Sequence, residues 1–167
     1  MKTLAAPLIG IAALGLVLSV FVHLSALLQF RNPLGKAAWA LHVGIFVVGF
    51  PAVLVAQRLT NEAKQKDWWR VALRGCPRWM QYMTYAFFVY AILNFGLFVL
   101  TGKAAKEDES IVLRGFSGHW MVFYSGIMAI LYSFMRVGDV QLRCISGHPV
   151  SPLANYCEVC GQAIHQT

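Results

Sequence analysis

Cys144-Ile145-Ser146-Gly147-His148 and, after eight intervening residues, Cys157-Glu158-Val159-Cys160-Gly161 gather three thiols and an imidazole near the C-terminus. Soft sulfur donors with one nitrogen are the set that closes a tetrahedron around zinc, and a C-x-x-C gap lets both of its sulfurs reach a single ion. Gly147 and Gly161 supply the tight turns that aim backbone N–H groups at the sulfurs. A segment this short cannot fold on apolar burial alone, so a bound metal must provide its stability. One zinc per chain is expected on Cys144, His148, Cys157 and Cys160. His165 is an alternative fourth ligand, although His148 pairs with Cys144 in the same glycine-containing turn. Four protein ligands leave no open position for water or substrate, which makes the site structural rather than catalytic.

From Cys144 to Ile164 the chain resembles a zinc ribbon, most closely over Tyr156-Cys157-Glu158-Val159-Cys160-Gly161-Gln162-Ala163-Ile164, which is similar to the family's second knuckle. The first knuckle departs from the common pattern, with C-x3-H in place of C-x2-C. The resemblance implies a folding staple or a docking surface. Disulfides are the alternative fate of such thiols, and a reducing compartment disfavours them. The fourth thiol, Cys76 beside Pro77, reads as a buried small apolar residue, with acylation as its alternative.

A second set of reactive groups lies in apolar surroundings: His23, His42, His119 and Asn94. At 1.5 Å rise per residue they fall within about 8–13 Å of the nearest flanking Lys or Arg, all on one side of a membrane. His23 shares a helix face with Ser19 and Ala12, His42 with Gly49 and Ala56, and His119 with Gly126 and Ser133. If all four converge, facing imidazoles could ligate haem b, or a histidine among aromatic residues could bind and protonate a quinone. With Glu107, Asp108 and Glu109 they could hold a divalent metal, the basis of a membrane-enzyme reading. The plainer alternative is hydrogen bonding across helices or a place in the interfacial aromatic belt beside Trp39 and Trp120. Ser117 as a helix N-cap would put His119 in the first turn of the last helix.

The elements that must position these groups follow from composition. The 167 residues are 58% hydrophobic and 13% charged, with mean hydropathy +0.59, which excludes a soluble globular enzyme. Four stretches, about 4–30, 37–57, 79–101 and 115–135, contain no Asp, Glu, Lys or Arg. Each has the roughly 20 apolar residues a transmembrane helix needs. The run after Lys2 is too long for the roughly 7–15 residues of a secretory h-region and reads as the first span. The expected fold is an all-α integral membrane protein: a four-helix transmembrane bundle over 1–136 with a zinc ribbon-like tail over 137–167. Arg31-Asn32-Pro33-Leu34-Gly35-Lys36 is a turn that joins antiparallel neighbours. A short interfacial helix is expected from an Asn61 cap through Trp68 and Trp69 to a stop at Gly75.

With the N-terminus inside, the inner loops collect nine Lys and Arg against five outside. Both termini are therefore expected in the cytoplasm of a bacterial-type inner membrane. The net charge of +7 then suits anionic lipid headgroups rather than nucleic acid. No phosphate loop, serine elbow, H-E-x-x-H or intramembrane carboxylate pair is present in the sequence. The expected function is that of an accessory, scaffolding or assembly subunit that docks a larger protein complex through its tail. The rival expectation is a redox module holding haem b or quinone.

Overall fold

In hydrocarbon a chain has no water to satisfy its N–H and C=O groups, so uncharged stretches of this length must close their hydrogen bonds internally as α-helices. The computed structural model describes residues 2–32, 34–61, 63, 65–101, 109–137, 143–150 and 154–164, the backbone alone at 2, 101 and 109. Its helices are α1 (Lys2–Leu27), α2 (Ala40–Thr60), α3 (Trp68–Ala72), α4 (Arg78–Thr101) and α5 (Glu109–Val137). Four of them provide apolar segments long enough to cross a bilayer: Thr3–Leu27, Gly35–Thr60 (including a 3₁₀ turn at Gly35–Trp39), Arg78–Leu100 and Ser110–Val137. The protein is an all-α, multi-span membrane protein with one short helix between the second and third spans.

The last helix organises the bundle. Leu113, Ser117, Trp120, Tyr124, Ile127, Leu131 and Phe134 are all buried, and their alternating spacings of four and three put them on one face. Helix α5 packs on α1, α2, α3 and α4, most extensively on α1. Helices α1 and α2 touch, as their short turn requires, but more lightly than α1 touches α5. Helix α4 packs chiefly on α5 and turns Tyr82, Phe88, Ile92, Leu93 and Leu100 outward, a surface suited to lipid.

Several boundaries differ from expectation. Helix α1 stops at Leu27 rather than Phe30 because Gln29 adopts φ 55° and the Phe30 N–H reaches back to the Ser25 carbonyl at 2.9 Å. That is a Schellman closure made without glycine. The interfacial segment is a 3₁₀ turn at Gln65–Asp67 followed by α3, and Asn61 ends α2 instead of capping a new helix. Gly75 is required by proximity: its N–H donates to Ser133 Oγ at 3.0 Å, and a Cβ there would lie 2.7 Å from the Ser133 carbonyl oxygen. The last span begins near Glu109 rather than at Gly115, so Arg114 lies within α5, Ser117 is no cap and His119 is well past the first turn. Pro51 sits inside an unbroken α2.

Candidate metal centre

Two short turns build the tail. In the first, the Gly147 N–H donates to the Cys144 carbonyl at 2.8 Å and the Cys144 N–H to the His148 carbonyl at 3.0 Å. In the second, the Gly161 N–H donates to the Cys157 carbonyl at 2.9 Å and the Cys157 N–H to the Gln162 carbonyl at 2.8 Å. Gly147 and Gly161 have φ of 82° and 70°, a region in which a side chain would clash with the backbone. Isolated bridges pair Arg143 with Pro149 and Tyr156 with Ala163. Ser146 Oγ donates to Gln162 Oε1 at 3.0 Å, tying one turn to the other.

These turns bring the four donors together. Cys144 Sγ lies 3.7 Å from Cys160 Sγ and 3.5 Å from His148 Nδ1, while Cys157 Sγ lies 3.9 Å from the same nitrogen. All four donor atoms fall within 4.8 Å of one another. For Zn–S near 2.3 Å and Zn–N near 2.0–2.1 Å, tetrahedron edges are about 3.8 Å between sulfurs and about 3.6 Å between sulfur and nitrogen. The donor set and its spacing therefore fit a tetrahedral metal ion, with Cys144, His148, Cys157 and Cys160 as the ligands. His165 lies outside the described residues. The Cys160 backbone N–H, with that of Val159, holds the Cys157 thiol down to about 6, which favours the thiolate that binds metal. Among the described residues, the tail's core apart from the ligands is Val150 with Ile164 packed against it.

Two of the intramembrane residues meet at one backbone carbonyl and two stand apart. His23 is buried on α1 with both ring nitrogens engaged: Nδ1 lies 2.8 Å from Ser117 Oγ on α5, and Nε2 meets the Tyr90 hydroxyl on α4. Ser117 Oγ also reaches the Arg114 carbonyl at 3.3 Å. One neutral tautomer satisfies the whole chain of groups, with Tyr90 donating to Nε2, Nδ1–H donating to Ser117 and Ser117 donating to Arg114. Asn94 is buried beside it, donating to the Arg114 carbonyl at 2.9 Å and accepting from Arg114 Nε at 3.3 Å. His42 stands apart on α2, where its Nδ1 accepts from Trp120 Nε1 at 3.1 Å between the rings of Trp39 and Phe116. His119 Nδ1–H donates to the Gly115 carbonyl at 3.1 Å, and its ring meets Phe95 edge-on.

The sequence pattern grouped His23, His42, His119 and Asn94; the structure brings His23, through Ser117, and Asn94 together at the Arg114 carbonyl, while His42 and His119 have partners of their own. Neither nitrogen of His23 is left to ligate iron, and Nδ1 of His42 is committed to an indole, so these residues do not fit a haem held between His23 and His42. Trp120 is completely buried, its ring against Trp39 and its indole N–H on His42. The partners Tyr90, Ser117 and Arg114 were missed as a set because they stand 67, 94 and 91 residues from His23 in the chain. Glu107 and Asp108, and the side chain of Glu109, lie outside the described residues. Cys76 is buried as expected, with its Sγ–H donating to the Ala129 carbonyl at 3.0 Å and burial pushing its thiol up to about 11.

No family model, curated protein or solved structure matches this chain.

Proposed function

We propose that this chain is an accessory, scaffolding or assembly subunit of a larger complex in a bacterial-type inner membrane, and that its zinc-folded tail docks the partner on the cytoplasmic side. One observation carries the reading. The tail that gathers four metal ligands also turns apolar side chains outward, with Ile145 88% exposed on the first knuckle and Val159 69% exposed on the second. Tyr156 beside them is 64% exposed. Branched and aromatic groups held in water by a rigid frame gain free energy when a partner covers them. A staple serving only its own fold has no such need. A closed Cys3His set supports a structural role, because it has no position for a reacting ligand. The excess of Lys and Arg on the inner loops supports the cytoplasmic placement and contact with anionic headgroups.

The test compares two double variants in native membranes. Full-length protein should carry one zinc per chain and cross-link to a defined larger protein. Cys157→Ser with Cys160→Ser should lose both the metal and the cross-link while remaining membrane-inserted. Ile145→Ser with Val159→Ser should keep the metal and lose the cross-link. A cysteine double variant that cross-links normally would refute the docking role.

A further inference from the structure

At the end of the bundle where α1 turns into α2 and α5 begins, a cavity of about 370 Å³ is lined by Ser25, Arg31, Asn32, Lys36, Ser110 and Leu113, among others. We propose that this cavity binds the phosphate group of an anionic ligand at the level of lipid headgroups.

Charge comes first. Arg31 and Lys36 stand at the two ends of one six-residue turn, and both line the cavity. Arginine offers a planar fork that matches phosphate oxygens, and lysine adds a compact positive charge. The turn is built to hold them in place. Asn32 Oδ1 accepts the Leu34 N–H at 3.1 Å, the Gly35 N–H donates to the Asn32 carbonyl at 3.1 Å, and Asn32 Nδ2 donates to the Gly35 carbonyl at 3.3 Å. Gly35 has φ 48°, and a 3₁₀ turn beginning there carries Lys36. The two cations are therefore spaced by an internally bonded loop.

Depth comes second. Ser25 lies two residues before the end of α1, and Ser110 is the first residue of the last membrane-crossing segment. The cavity thus sits where hydrocarbon gives way to headgroups, the layer in which lipid phosphates lie. Its lining is mixed in the way an amphiphile requires: Ser25, Asn32 and Ser110 are polar, while Ala26, Phe30 and Leu113 are apolar, with Phe30 70% exposed. A volume of about 370 Å³ is within the range of small-ligand pockets. A lipid phosphodiester and a soluble phosphate share the recognised group, and the experiment separates them.

Purified full-length protein would be reconstituted in nanodiscs of phosphatidylcholine alone and of phosphatidylcholine with phosphatidylglycerol, then released into native mass spectrometry. A parallel sample in uncharged detergent would be titrated with inorganic phosphate while thermal unfolding is followed. Three proteins are compared: wild type, Arg31→Gln with Lys36→Gln, and Lys66→Gln with Arg70→Gln. The last pair removes the same charge from exposed positions at the other end of the bundle. The expected result is a retained phosphatidylglycerol adduct on wild type and on the Lys66/Arg70 variant, reduced at least fivefold by the Arg31/Lys36 changes. If the adduct is absent but inorganic phosphate raises the unfolding temperature only when Arg31 and Lys36 are intact, the phosphate source is soluble and the site stands. Equal responses from all three proteins, or none, would overturn it. That is also the result if the acidic run before Ser110 fills the cavity itself.

Discussion

Helix α5 and the tail are close neighbours in the chain but are held by different physics. Along α5, seven buried positions at alternating spacings of four and three meet neighbouring helices, and many small contacts share the load. Among the described residues of the tail, apolar burial beyond the four donors is little more than Val150 with Ile164, and a metal ion on those donors would do the rest. A region held by distributed packing loses stability in increments as side chains change. One held by a single coordination centre loses its fold as a unit. The largest expected effect follows from that contrast. A strong chelator should abolish amide-exchange protection across 143–164 and leave protection along α5 unchanged, since structural zinc in small domains supplies about 10–16 kcal/mol. Acid should act in the same way. The thiolate is the ligand; backbone N–H groups hold the Cys157 thiol down to about 6, while desolvation and the neighbouring Cys157 and Cys144 sulfurs push the Cys160 thiol up, so one sulfur is poised as thiolate at neutral pH and the other gives up its proton on binding. Bound zinc carries its ligands' titration below that of the free thiols, so zinc should stay bound at pH 7 and be released only as pH falls well below about 6, as measured by a colorimetric zinc indicator. Loss of α5 protection together with the tail would show that the two regions fold as one.

Within the bundle the comparison sharpens to two glycines on one helix. A Cβ at Gly15 would lie 2.6 Å from Tyr124 Cδ1 and closer still to Cε1. Tyr124 cannot easily yield, because it is buried and its hydroxyl donates to the Leu41 carbonyl at 2.7 Å. A Cβ at Gly10 meets nothing within 4 Å. Gly15→Ala should therefore cost about 1–3 kcal/mol by overpacking. Gly10→Ala should gain about 0.5–1 kcal/mol, because alanine has less backbone freedom to lose on entering a helix. Thermal unfolding in detergent reads both changes. Equal effects from the two substitutions would mean that α1 and α5 do not pack in this register.

How much of this was legible in the sequence depends on the distance over which each interaction acts. The four spans were readable because charge is expelled from hydrocarbon and each uncharged run announces its own length. The metal ligands were readable because they are close in the chain and both turns need glycine where glycine stands. The end of α1 was not, since Gln29 takes a backbone conformation usually reserved for glycine. The start of α5 was missed because Arg114 looks like a boundary, whereas Asn94 on another helix receives its guanidinium. The partners of His23 lay equally far away in sequence, and a helical face shows which residues point together without naming what they meet. Gly75 was read as a helix stop when its role is to let a loop approach the backbone of α5.

The smallest expected effect concerns the junction between α3 and α4, which meets the last turns of α5. Arg74 lies between α3 and α4, and its Nε and Nη1 are buried with no hydrogen-bond partner among the described residues. Burial lowers the affinity of its guanidinium for its proton, the direction expected when a charge has been moved out of water. An unmet donor costs its desolvation without return, about 1–3 kcal/mol for a fully buried group, and less here because part of the side chain reaches solvent. Methionine preserves the length of the stem and removes the charge together with the unmet donors. Arg74→Met should therefore raise the unfolding temperature in uncharged detergent, by an amount smaller than the loss at Gly15. In bilayers containing anionic lipid the gain should shrink, because headgroup phosphates can reach an arginine at this depth and offset its desolvation. A destabilised Arg74→Met protein in uncharged detergent would mean that the guanidinium is already satisfied within the chain, and the junction would then be held by a specific ionic contact rather than by packing.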